Sequence, residues 1–430
     1  MPKLQFPIET ISTTTIGDGA QLSAFGRLRV AEANTLFDAQ QEYGLNTRSI
    51  WDAAANGTLA TAASNGSASS GGNAVGPADA NTGMTPITVT ATDTHYAVLQ
   101  SKQYVRYIPG KGHLIYVTGV FAAGSGSTAA ITLRSSTSGS AVDTTVQQAD
   151  WSEDSFDGTG QSGITIDFTK VQVLVIDAQM LYSGRARIGF DIEGVLHYAH
   201  YFKIANNQSV PTLKTFNLPV RAEGRTGASS TTFRFGYFDS NNGIFVETTR
   251  TTKGGTAYLT CCSVQSEGGK ESRGLLRSAS NGITTIGVTT RRPVLSIRPK
   301  ATFNSRTNRG HIELINAVLR ATTSDSYFEI VYGGTLTGAS FSSVHADSVA
   351  EFDVAATAIA DGVTIFNGFA ISGTGIGALL TSGDIDIRMP LTISQIDALT
   401  TTQTIVSIVC TSVSVTSNIT SALNWHEQTI

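Results

Sequence analysis

His197 and His200 stand three apart in Leu196-His197-Tyr198-Ala199-His200, a spacing that on a helix would let both imidazoles hold one metal ion. The flanking residues alternate as a strand, and an odd separation there sends the two rings to opposite faces, so no shared metal site is expected. Asp191 and Glu193 stand two apart and could share a strand face as a glycosidase pair does. Glu193-Gly194 reads instead as a tight turn, which breaks that face. The acidic run Asp150-Trp151-Ser152-Glu153-Asp154-Ser155-Phe156-Asp157-Gly158 and the segment Asp239-Ser240-Asn241-Asn242-Gly243 gather oxygens that calcium takes. Neither keeps the ligand spacing of a calcium loop, so both are expected to be solvated turns. Gly110-Lys111-Gly112 has the lysine of a phosphate loop without the upstream glycine or the following hydroxyl, and is expected to be a turn between strands. The three cysteines, Cys261, Cys262 and Cys410, are odd in number and two are adjacent, which suits buried free thiols rather than a disulfide framework. No nucleophile elbow, zinc-protease or kinase motif is present. The expectation is therefore a non-enzyme with no catalytic, cofactor or metal residues.

The elements that position these groups are set by composition. Of 430 residues only 14% are charged, against about 25% in ordinary domains. Ser, Thr, Gly and Asn fill the deficit. Threonine fits a half-buried pleated surface, and the others punctuate turns. An all-β chain follows. The net charge of −4 offers no basic surplus to displace counterions from phosphate, so nucleic acid is not an expected partner. No run approaches the roughly 20 apolar residues that span a bilayer, so membrane insertion is not expected. The N-terminus lacks a basic region followed by an apolar run, so ordinary export is not expected, and the free thiols suit assembly in a reducing cytoplasm.

Four segments are expected. Residues 1–52 read as an extended N-terminal arm, with a short helix over Ala31 to Tyr43, that docks on a partner through Phe25, Arg27, Leu28, Arg29, Leu36 and Phe37. Residues 53–85 are rich in Gly, Ser, Ala and Asn, with almost no bulky side chains, and read as a flexible linker. Residues 86–262 and 276–430 each carry short alternating runs separated by turn signals. Asn242-Gly243 before Ile244-Phe245-Val246 is the strongest hairpin signal, and Phe233, Phe235 and Tyr237 share one face. The reading is two β-sandwich domains of jelly-roll or lectin-like type.

A set of blocks in order along the chain resembles a widespread family of tailed-phage virion proteins, of the kind found among marine and cyanobacterial phages. The blocks are Ser23 to Val30, Thr35 to Asp38, Leu133 to Gly139, Ala149 to Trp151, Val175 to Asp177, Gly184 to Phe190, Asn217 to Arg221, Phe235 to Asp239 and Leu295 to Lys300. The resemblance implies a particle component with no active site and no fixed place in the particle. A tail, baseplate or neck appendage is the first expectation: a homo-oligomer, with a trimer favoured, bound to other virion proteins. A head decoration or head fibre protein is its rival. A protein that recognises a host surface glycan, with Trp151 and Tyr198 as stacking aromatics, is the third.

Overall fold

In the computed structural model the chain is all-β, and every strand pair among the described residues is antiparallel. The structure describes residues 21–22, 28–29, 33–42, 45, 50–59, 67–124, 126–179, 184–207, 209–267, 274–373, 378–381, 391, 393–394, 396 and 402–428. Among them the helical content is one turn of 3-10 helix at Gln148–Asp150, and no helix is long and apolar enough to cross a membrane.

The first sandwich packs a nine-stranded sheet on an eight-stranded one. The organising strand of the larger sheet is Gly255–Glu267. One edge of it pairs with His113–Val120. Its other edge is shared by Thr85–Val89 and, further along, Ala33–Gln40. The smaller sheet is centred on Val220–Thr226, Thr231–Phe238 and Gly243–Arg250. Inward residues follow the period of two: Phe233, Phe235 and Tyr237 all enter the core, as their shared face requires. Asn242-Gly243 makes the tight connection into Gly243–Arg250. There Gly243 has φ +135°, and a Cβ would lie 2.3 Å from the Phe238 backbone, so no other residue fits.

Two expectations fail here. The segment read as a helix over Ala31 to Tyr43 is the strand Ala33–Gln40, because the sheet edge left free by Gly255–Glu267 takes it in. Phe37 is buried against the edge of the Trp51 ring, with centroids 5.8 Å apart. Residues 53–85, read as a flexible linker, supply the last three residues of Trp51–Ala55, all of Ala68–Ser70 and Asn73–Val75, and the first residue of Thr85–Val89. Ala53, Ala54 and Ala55 are buried because small side chains let the sheets close over them. The same smallness mimics a linker in composition.

The second sandwich packs a five-stranded sheet, centred on His311–Thr322 and Ser417–Gln428, on a six-stranded one. Its core gathers Val294, Leu295, Ile297, Ile330, Ile408 and Trp425. The first core runs from Phe37 to Val264 and the second from Ala279 to Trp425. The alternating run Ile385-Asp386-Ile387-Arg388-Met389, which reads as a strand, lies outside the described residues.

Candidate functional site

Most groups singled out for chemistry are engaged in holding the fold. Lys111 sits in a turn, its N–H donating to the Ile108 carbonyl at 3.0 Å. Glu193 (φ +56°) and Gly194 (φ +82°) form the hairpin turn, and Asp191 accepts the Gly194 N–H at 3.0 Å, so the two acids do not pair. In the acidic run, Asp154 accepts the N–H of Phe156 at 2.8 Å and of Ser162 at 2.6 Å. Asp157 accepts the Thr159 hydroxyl and N–H and the Ser155 hydroxyl. Those bonds, the Thr159 hydroxyl first, hold its carboxyl down at about 2. These carboxylates staple a loop by taking backbone donors, which leaves few lone pairs for an ion.

The histidine expectation is corrected. His197 lies opposite Phe190, and His200 lies opposite Ile188, both core-facing residues, because a bulge between Ile188 and Gly189 resets the alternation. The two rings therefore share a side. Nδ1 of His200 accepts the Ser152 N–H at 3.2 Å, and burial lowers its pKa. Among the described residues no group of three or more His, Cys, Asp or Glu is placed to hold a metal ion. Cys262 and Cys410 are buried free thiols and Cys261 is half-buried. Burial raises the Cys410 thiol to about 12. Both proposed stacking aromatics are engaged too. Trp151 is buried and donates its indole N–H to the Val146 carbonyl at 3.2 Å. The Tyr198 ring is covered by the Arg187 guanidinium at 4.1 Å, and its hydroxyl donates to Asp177.

Of the expected docking residues, Phe25 and Arg27 lie outside the described residues. Leu28–Arg29 is a two-residue strand paired with Gln21–Leu22. Leu36 packs, half-buried, against the first core, and Phe37 is part of it. Leu36 and Phe37 therefore hold the first sandwich together, a role that comes from the strand pairing and not from an arm.

The feature that composition did not reveal is the seam between the sandwiches. Arg309, just before the first strand of the second sandwich's central pair, reaches back to the first sandwich. It donates to Asp239 at 2.6 Å and to the Asn217 carbonyl at 3.2 Å, and lies over the Tyr104 ring at 4.3 Å. Asp239 is 3% exposed, and also accepts the N–H of Asn241 and of Asn242 at 2.7 Å. His311 contacts the Tyr104 carbonyl through Nε2 at 2.7 Å, and Arg106 donates to Gln428. Ile396, from the second half of the chain, is buried against Ala54 and Val98 of the first sandwich. A second polar lock, Arg221 with Glu223, sits on the smaller sheet of the first sandwich, both side chains 1% exposed and 2.8 Å apart at Nε. Burial would raise the Glu223 carboxyl, but Arg221, Arg225 and Arg234 overcome it and hold it well below its ordinary value. The signal available in sequence was Asn217, Arg221 and Asp239, which fall within the blocks quoted above. Their spacing alone gives no partner, since Arg309 is 70 residues from Asp239.

No protein-family model matches the sequence, and no curated protein is significantly similar to it. Distant likenesses exist among solved structures. A carbohydrate esterase from the Shiga toxin-encoding bacteriophage phi24B aligns at 11% identity over 55% of this chain and 100% of its own, with a TM-score of 0.20. A lectin from Bauhinia forficata, solved with GalNAc, aligns at 11% identity over 55% and 99%, with a TM-score of 0.16. A tandem CBM22 pair from Paenibacillus barcinonensis Xyn10C aligns at 8% identity over 92% and 98%, with a TM-score of 0.18. Scores this low carry no function across.

Proposed function

We propose that this protein is a non-enzymatic structural subunit of a tailed-phage particle, in which two sandwiches act as one stiff unit. The observation that carries the reading is the seam. An Arg309–Asp239 pair, with the Arg309 guanidinium over the Tyr104 ring, joins the two bodies, and such a joint resists rotation because turning one sandwich against the other breaks the ion pair, the ring contact and the Asn217 hydrogen bond together. A hinged binding module would keep this interface polar and wet. The residues that resemble the virion family fall on these locks: Asn217 and Asp239 at the seam, Arg221 in the neighbouring pair, and Arg187 on Asp177.

Its partners in this reading are other particle proteins of the tail, baseplate or neck, and further copies of itself, met in the host cytoplasm during assembly. Docking falls to the residues ahead of Ala33, since Phe37 is committed to the core. A chain lacking residues 1–32 should fold and fail to enter particles when supplied in place of the full-length protein. Normal incorporation of that truncation would overturn the docking assignment, and absence of the full-length chain from purified particles would overturn the function.

A further inference from the structure

The six-stranded sheet of the second sandwich ends in Val363–Ala370, which pairs among the described residues with Ser326–Tyr332 alone. A terminal strand presents a row of unpaired N–H and C=O groups, and proteins ordinarily blunt such an edge with lysine, proline or an inward charge. This one is not blunted. The run Val363-Thr364-Ile365-Phe366-Asn367-Gly368-Phe369-Ala370-Ile371 contains no charge and no proline. Apolar side chains stand in water along it: Val363 is 45% exposed, Ile365 37%, Phe369 65% and Ile371 77%. Val413 and Val415, both 59% exposed, lie beside its end, where the Val413 N–H donates to the Asp325 carbonyl and the Asp325 carboxylate accepts the Ser372 N–H. A register shift between Ile330 and Val331 leaves Ile365 unpaired, so Phe366–Ala370 is the regular part of the ladder.

We infer that this edge pairs with the same edge of a second copy of the chain, antiparallel about a two-fold axis, joining two six-stranded sheets into one. The occupant follows from the chemistry. A polyanion would need free cations here, and Arg291, which shares Glu329 with Thr364 of this strand, is already paired with that carboxylate at 2.7 Å. A strand identical to this one brings no like charge opposite like charge, supplies a matching row of donors and acceptors, and covers the exposed Phe369 and Ile371 with aliphatic and aromatic side chains.

Sedimentation velocity of the full-length protein over a range of concentrations tests this, with Phe369→Lys and Ile371→Lys beside it. The wild type should sediment at twice the monomer mass or a multiple of it. Each folded variant should lose that doubling, and amides of Val363–Ala370 should exchange faster in the variants. The Phe369 ring packs at a tilt on the Tyr327 ring, centroids 5.4 Å apart, so if Phe369→Lys unfolds, the more exposed Ile371→Lys decides. A wild type that is monomeric at every concentration, or a folded variant that keeps its assembly, overturns the inference. The inference extends the particle reading but fails separately: a monomer that still enters particles sinks only the pairing, and a dimer missing from particles sinks only the particle role.

Discussion

Replacing Arg309 by alanine should uncouple the two sandwiches. Asp239 would keep the N–H groups of Asn241 and Asn242 but lose its only cationic partner among the described residues, at 3% exposure. Breaking a buried pair from one side costs about 3–5 kcal/mol. The Arg309 side chain is 17% exposed, and Asp239 retains two donors, so the low end applies, about 3 kcal/mol. Loss of the contact with the Tyr104 ring adds about 1 kcal/mol. For a domain of 150–250 residues each 1 kcal/mol lowers the melting temperature by about 2–4 °C, so one sandwich should melt roughly 8–16 °C earlier. Calorimetry should then show one transition in the wild type and two in the variant. The double substitution with Asp239→Asn should cost clearly less than the sum of the singles, because the two groups share one interaction. A variant that melts in one transition at an unchanged temperature would refute the rigid joint.

Other outcomes follow from the core. Phe37→Ala should cost about 3–5 kcal/mol in urea unfolding, whereas an arm residue would cost almost nothing. His113 is 1% exposed among the rings of Tyr107, Phe216 and Tyr237, and neither of its ring nitrogens finds a hydrogen bond of good geometry among the described residues. Burial lowers its pKa to about 4, and the Arg106 main chain offsets only part of this. Between about pH 6.5 and 4 the unfolded chain takes up a proton that the folded chain refuses, so stability falls as pH drops through that window. The loss levels off near 3 kcal/mol below it, and His113→Phe should flatten that part of the stability profile. Gly243→Ala should cost about 1–3 kcal/mol, since φ +135° and the Phe238 contact both exclude a Cβ. A thiol reagent should modify Cys261 well before Cys262 and Cys410 in the folded protein, and all three together after unfolding.

The all-β class was legible because threonine-rich alternation and Asn-Gly punctuation are local signals. The hairpins at Glu193-Gly194 and Asn242-Gly243 stand where those dipeptides place them. What was hidden depended on long-range partners. Phe37 and the alanines after Trp51 look like arm and linker until the free edge of Gly255–Glu267 and the closing sheets bury them. The histidine geometry turned on a single bulge, which period-two counting does not register. The seam was illegible for the same reason: Arg309 and Asp239 are ordinary surface residue types until the fold brings them together.

A reconstruction of the intact particle tests the account most directly. The account predicts two-lobed density at a repeated structural position, with the two sandwiches held at one fixed angle and the residues ahead of Ala33 seated in a neighbouring protein. Particles without such density, together with a free chain whose lobes swing independently and turn over a substrate, would contradict it.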